Sequence, residues 1–387
     1  MQQKFFSTTA MIALVLCLSV SAFAQQGRNK QPVIDRQKVL RSLQLANRYF
    51  MNEWPDAAKD IYVEEKHKSW PSHIWTRGVY YEGLMSLYKI DPQATYLDYT
   101  MQWGNAHNWD LRGGSSTRNA DNQCAGQTYI DMALVKKDTS LMRNIKASMD
   151  AMLTSDTISD WSWIDAIQMA MPVFARLGAL TGDNAYYHKM WQMYHYTRSE
   201  LSGSGLYDTV HYLWWRDKDF MPPYKEPNGA DCYWSRGNGW VCAALVRVLE
   251  RLPKNAPHYT DYLKDYKDMM RALLPYQNHE GYWNVSIADP ADFGGKELTG
   301  TALFTYAMAW GLNRNMLDKK IFGQPVYRAW SFLAGCVHPN GFLGYVQGTG
   351  KEPKDGQPVT YDHKPDFEDF GLGCFLLAGS EVYRLGR

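Results

Sequence analysis

What the sequence lacks first is a surplus of charge: its 387 residues carry 41 Lys and Arg against 40 Asp and Glu, a formal net charge of +1. A nucleic-acid binder would show a basic excess or stripe, so that class is set aside. Cysteine is sparse, six in all, with no C-x-x-C pair and no His/Cys spacing that suits a structural metal. At this length a hydrophobic core suffices without disulfide staples. No apolar run reaches the about 18 residues of a membrane span. The one run present, residues 10–20, follows Lys4 and precedes Ala22-Phe23-Ala24. That is the pattern of a signal peptide over residues 1–24, which predicts an exported protein, periplasmic or secreted, with a single domain over 25–387. Strand-type alternation is scarce, which confines β structure to short loop hairpins. Neither a G-x-S-x-G elbow nor H-E-x-x-H occurs.

Aromatic residues are abundant: 15 Trp, 26 Tyr and 14 Phe, every Trp at or beyond Trp54. Apolar residues at i, i+3, i+4 and i+7 predict about twelve helices, beginning near residues 35, 73, 95, 120, 139, 163, 184, 238, 257, 299, 318 and 366. Ile164, Ile167, Met171, Phe174 and Gly178 make one such face; Gly182 in Thr181-Gly182-Asp183 ends that helix and Asp183 caps the next. Connections alternate in length. From each odd-numbered helix to the even-numbered one after it the link is long and rich in Trp, Gly and Pro: 52–72, 104–120, 154–161, 201–237, 281–298 and 336–365. From even to odd it is short, as at 91–93, 136–138, 181–183 and 253–255. Six helical hairpins with their long links at one end predict an all-α fold, a closed (α/α)6 barrel with the even-numbered helices inside. A superhelical repeat array is the alternative, but no fixed-period motif is present. Long loops on a rigid scaffold usually carry function.

Polar residues near the starts of the even helices should then converge: Asp121, Asp165, Arg236, Thr299, Thr301, and the trio Asp366, Glu368 and Asp369. Trp75, Trp161, Trp163, Trp214, Trp215, Trp234, Trp240 and Trp283 stand around them. Carboxylates among aromatic walls point to a carbohydrate site, because sugar C–H faces stack on indole while paired carboxylates move protons. Asp165 reads as lying one turn into a helix among apolar neighbours, where a helix-start role and a general-acid role are both open. Asp121 is either an N-cap or the second carboxylate, whose charge keeps its partner protonated. Trp234-Ser-Arg236-Gly-Asn-Gly-Trp240 is the most specific string. Its glycines predict a tight turn into a helix, with Arg236 forking onto an anion or pairing with a protein carboxylate. The spacing fits neither phosphate-binding glycine pattern. His211 and His338 read as loop hydrogen-bonders rather than metal ligands.

Trp163-x-Asp165 leading into an apolar helix with Pro172 and Ala175-Arg176-Leu177, the 181–183 turn, the 234–240 string and the tail Gly379-Ser-Glu-Val-Tyr383 resemble glycoside hydrolase family 105. The resemblance covers nearly all of the chain beyond the leader. These are unsaturated rhamnogalacturonyl hydrolases, related to the unsaturated glucuronyl hydrolases of family 88. The resemblance implies an (α/α)6 barrel and, as substrate, a lyase-generated oligosaccharide ending in a 4,5-unsaturated uronic acid, for example from rhamnogalacturonan. It implies hydration of the C4=C5 bond, after which the hemiketal opens and expels the aglycone. By motif Asp165 matches the general acid/base and Asp121 its assisting carboxylate. Trp163, Trp234, Arg236 and Trp240 match residues that shape the uronate subsite, and Trp75 and His211 are further candidates for substrate contact. No metal or organic cofactor is implied. Relatives carry a His in the loop where this chain has Tyr212-Leu-Trp-Trp-Arg216-Asp217, and His211 and Arg216 are the candidate substitutes.

Two other functions would use the same barrel. Inverting hydrolysis of saturated uronides or neutral glycans needs carboxylates roughly 6.5–9.5 Å apart. Glycan binding without catalysis needs only the aromatic cleft, and Asp121, Asp165 and Arg236 together are more chemistry than stacking requires. A net charge near zero gives no reason to expect membrane or nucleic-acid partners.

Overall fold

A helix surrounded by other helices needs apolar residues all round, whereas one with a wet face needs only a stripe. Both kinds alternate along the chain. The computed structural model describes residues 33–386, so the predicted leader at 1–24 lies outside the described residues. The striped helices are α1 (Arg36–Glu53), α3 (Ala94–Ala106), α6 (Arg143–Leu153), α8 (Ala185–Ser199), α10 (Tyr259–Leu273) and α12 (Lys319–Gly335). In α10, for instance, Tyr262, Asp265, Tyr266, Met269 and Leu273 are buried while Asp261, Lys264 and Arg271 face water. The enclosed helices are α2 (Trp75–Tyr88), α4 (Ala120–Gln123) continued by α5 (Ala125–Lys136), α7 (Asp165–Thr181), α9 (Ser235–Leu249), α11 (Leu298–Asn313) and α13 (Asp369–Leu385). Cys124, which joins α4 to α5, keeps helical angles of −54° and −45°. α11 carries no charged residue and is buried from Leu298 to Gly311.

Each enclosed helix packs on the next, and α13 closes onto α2, so six inner helices form a ring with the striped helices outside it. The closure is tight: a Cβ on Gly83 of α2 would lie 2.5 Å from the carbonyl oxygen of Gly373 in α13, so only glycine lets these backbones meet. Pro172, inside α7, cannot donate to the carbonyl of Gln168. The side chain of Gln127 in α5 fills that acceptor at 2.8 Å, tying two inner helices together. The (α/α)6 barrel is thus the observed architecture.

The predicted turn at 181–183 is present. Gly182 closes α7 with φ 72°, and Asp183 accepts the Ala185 N–H at 2.8 Å. Around residue 139 the expectation shifts: Asp138 caps a 3-10 turn, Thr139–Met142, and α6 follows it. Among the described residues strands are confined to two antiparallel hairpins in the long links, β1 (Ile61–Val63) with β2 (Lys68–Trp70) and β3 (Tyr207–Asp208) with β4 (Leu213–Trp214). Cys124, Cys232, Cys242, Cys336 and Cys374 are buried free thiols.

The long links meet where the inner helices begin, and they are stitched to one another around that end. Arg118 pairs with Asp160, the Ile164 N–H donates to the Arg216 carbonyl, Ser235 donates to Val285, and Leu298 donates to Tyr345. Lys66 on Asp366 and Trp54 on Glu368 carry the circuit across the closing pair of helices.

Candidate active site

Asp165 is the first residue of α7 rather than one turn inside it, and no side chain caps that terminus. Asn119, not Asp121, caps α4 by accepting the Asn122 N–H at 3.1 Å, so the Asp121 carboxylate is spared that task. Since α4 packs on α7, the two aspartates stand at the starts of neighbouring inner helices. Pairing between links brings a cation to them. Trp163 bridges Asp217, and the Arg216 carbonyl accepts from Ile164 at 3.0 Å. Arg216 then places Nε 3.3 Å from Asp165 Oδ2 and Nη1 2.6 Å from Asp217 Oδ2.

Burial raises the Asp165 carboxyl above the usual carboxylate range, against the pull of Arg216 and Arg236. Asp121 is pushed up to about 6, first by burial and then by the charge of Asp165, while Arg216 and Arg112 hold it down. Both groups therefore hold a proton more tightly than surface carboxylates do, which is the direction a general acid working near neutrality requires. Behind them Glu82 of α2 hydrogen-bonds Gln168 at 2.9 Å and lies 3.5 Å from Arg247, and burial pushes it up to about 7. A lone acid inside the apolar stretch Val79-Tyr-Tyr-Glu82-Gly-Leu-Met85 was its signal in the sequence.

The 234–240 string takes a different shape from the expected turn. α9 already begins at Ser235, so Gly237 and Gly239 sit in its first turns. Their missing side chains make room for packing: a Cβ would lie 2.9 Å from Trp234 at one and 2.9 Å from Leu303 at the other. Asn238 is not a cap but clamps β4, exchanging hydrogen bonds with the Trp214 N–H and C=O at 2.8 and 3.0 Å. Arg236 is 1% exposed and donates to the carbonyls of Gln347 and Gly348, each at 2.7 Å, between the rings of Trp234 and Phe370. It anchors the 336–365 link and lends Asp165 its charge, rather than lying open to an anion. Trp234 does likewise, donating to Gln347 Oε1 at 3.0 Å.

Several expected members of the site prove to be scaffold. Trp161, Trp214, Trp234, Trp240 and Trp283 are fully buried, whereas Trp75, Trp163 and Trp215 keep exposed edges. The aromatic surplus is thus largely core, since a ring of helices this wide needs bulky side chains to fill it. Trp75 packs on Phe370 and Trp240 at 5.4 and 6.3 Å, which makes Trp240 its support. Thr299 bonds Glu297, and Thr301 accepts from the Trp283 N–H. Asp369 is held by Arg77, Asp366 by Lys66 and Glu368 by Lys364. His211 binds Asp208 at 2.7 Å and Tyr233 at 3.1 Å, so it is Arg216 that reaches Asp165. Asp208, His211 and Asp231 hold potential ligand atoms within 4.8 Å of one another. Those atoms are engaged: Asp208 accepts from Tyr233 and Asp231 pairs with Lys225.

A model described as glycosyl hydrolase family 88 matches residues 43–386. An unsaturated 3S-rhamnoglycuronyl hydrolase of Formosa agariphila is 29% identical, with 97% of this chain and 98% of that protein aligned. A protein of the same name from an Alteromonas species is 26% identical, covering 96% of each. Among solved structures, a family 88 glycosyl hydrolase from Bacteroides vulgatus superposes with a TM-score of 0.80 at 28% identity, over 90% of this chain and 99% of that one.

Proposed function

Because the chain belongs to glycosyl hydrolase family 88, we propose that it is a glycosidase releasing a 4,5-unsaturated uronic acid from the non-reducing end of lyase-generated oligosaccharides. The observation that carries this reading is the carboxylate pair at the starts of α4 and α7, both with raised proton affinity and with Arg216 against one of them. Hydration of an enol ether requires a proton delivered to carbon and a proton taken from water. Asp165 gives its proton to C4, and its carboxylate then takes one from the water that adds to C5. Asp121 stands beside Asp165 as the second carboxyl, its own proton affinity raised by burial and by the charge of Asp165. The C5 hemiketal opens to a ketone, the ring oxygen stays on C1, and C1 releases the leaving sugar as an alcohol. One water is consumed.

Trp163 and Trp75, whose faces are still partly open, are the aromatic surfaces available to the sugar. The word rhamnoglycuronyl in the names of both relatives supports a rhamnose-containing oligosaccharide, from rhamnogalacturonan or a related polymer. Lys4, the apolar run 10–20 and Ala22-Phe23-Ala24 support export with loss of residues 1–24.

The test is loss of the near-ultraviolet absorbance of the conjugated enol ether. Wild-type protein is expected to abolish it in unsaturated disaccharides, and Asp165→Asn to slow that loss by about 10²- to 10⁴-fold with little change in KM. Undiminished turnover in Asp165→Asn removes that residue from the mechanism; persistent absorbance with folded wild-type protein removes the reaction.

A further inference from the structure

Glu82 of α2 is fully buried among the inner helices, and the hydration reaction gives it no part. It stands in an apolar stretch, where a hydrocarbon side chain would fill the same space without the cost of burying an acid. Its two oxygens are divided between two neighbouring helices. Oε2 accepts from the Gln168 amide at 2.9 Å, and Oε1 accepts from the Cys124 thiol at 3.4 Å. Gln168 lies three residues after Asp165 in the first turn of α7, and Cys124 lies three residues after Asp121, where α4 runs into α5. Residues three apart share one face of a helix, so a single carboxyl ties down the turn behind each of the two aspartates.

The α7 turn in particular is held from outside. No side chain caps its start, and Pro172 deprives the Gln168 carbonyl of its helical donor. Gln127 supplies that donor at 2.8 Å, and Arg247 of α9 holds Gln127 in turn, its Nε 2.8 Å from Gln127 Oε1. Arg247 also sets Nη1 3.5 Å from Glu82, so the clamp carries its own countercharge. We propose that Glu82 is a positioning residue, a strut between the first turns of α4 and α7 that sets the spacing of the Asp121 and Asp165 carboxyls. This rests on the reaction proposed above and adds to it a residue buried out of reach of the sugar. The spacing matters twice. It fixes the reach of Asp165 to C4 and to the water, and it sets how strongly the charge of Asp165 raises the proton affinity of Asp121.

The test removes one arm of the strut at a time without altering a charge. Gln168→Met cuts the arm to α7 and Cys124→Ala the arm to α4, while Cys124→Ser keeps a donor. Loss of absorbance from unsaturated disaccharides is expected to show kcat about 10- to 100-fold lower in the first two, with KM within about twofold of wild type and Cys124→Ser close to wild type in both. In the substrate-free protein the Asp121 carboxyl, followed by carbon NMR, is expected to titrate at least about half a pH unit below its wild-type midpoint once the two turns relax apart. A merely structural residue would lower the melting temperature and leave kcat and the titration of the folded protein where they were, which overturns the proposal; so does a loss confined to KM. If Gln168→Met fails to fold, Cys124→Ala against Cys124→Ser carries the same comparison. If wild-type protein leaves the absorbance intact, the reaction itself fails, and the Asp121 titration alone then decides the strut.

Discussion

Asp121 weakens the fold for the sake of its proton. Its carboxyl, at about 6 in the folded chain against 3.8 for the free side chain, favours folding only while protonated. That preference is fully present below pH 4 and is lost as pH rises through about 6. The ionised carboxylate then costs about 3 kcal/mol. Asp121→Asn is therefore expected to raise the melting temperature at pH 7.5 relative to wild type, with the difference vanishing near pH 4. Thermal melts at the two pH values check this, and equal shifts at both would contradict it. That Asp121 and Asp165 lie near the starts of inner helices was legible from periodicity, though Asp165 is the first residue of α7 rather than one turn inside it. Arg236 was legible as a residue but not in its role: three positions of error in the start of α9 turned packing glycines into a supposed turn, and the carbonyls it serves lie over a hundred residues away. Arg216 and Arg112 sit in links without periodicity, where position depends on how one link pairs with another.

At the scale of the element, helix type and helix boundary were unequally readable. Stripes and apolar runs follow from burial and so survive in the sequence, as in α10 and α11. Boundaries rest on single caps: Asp138 begins a 3-10 turn where an α-helix was expected, and Asn119 rather than Asp121 closes the start of α4. Close approach of helices left a quieter trace, glycines inside two apolar helices, Gly83 in α2 and Gly373 in α13. Gly83→Ala would drive a methyl group into the Gly373 carbonyl, and the helices must separate or bend to admit it. We expect a loss of about 1–3 kcal/mol in urea unfolding. A neutral result would mean that α2 and α13 can slide apart freely.

For the molecule as a whole, the alternation of long and short links was the most informative pattern, because a ring of hairpins has only two ends and long links crowd one of them. It did not reveal where the tryptophans go, since core filling and sugar stacking select the same side chain. Export belongs to this scale also: protein recovered from its native host is expected to begin at Gln25, and N-terminal sequencing that returns Met1 would dismiss a cleaved leader. The seam between Gly83 and Gly373 bears on the order in which the chain is made. α2 leaves the ribosome nearly three hundred residues before α13, yet each covers the other. Until the final turn emerges, the inner face of α2 has no lasting cover and the long-range contacts that define the ring cannot be completed. The ring can close only once α13 has emerged to meet α2.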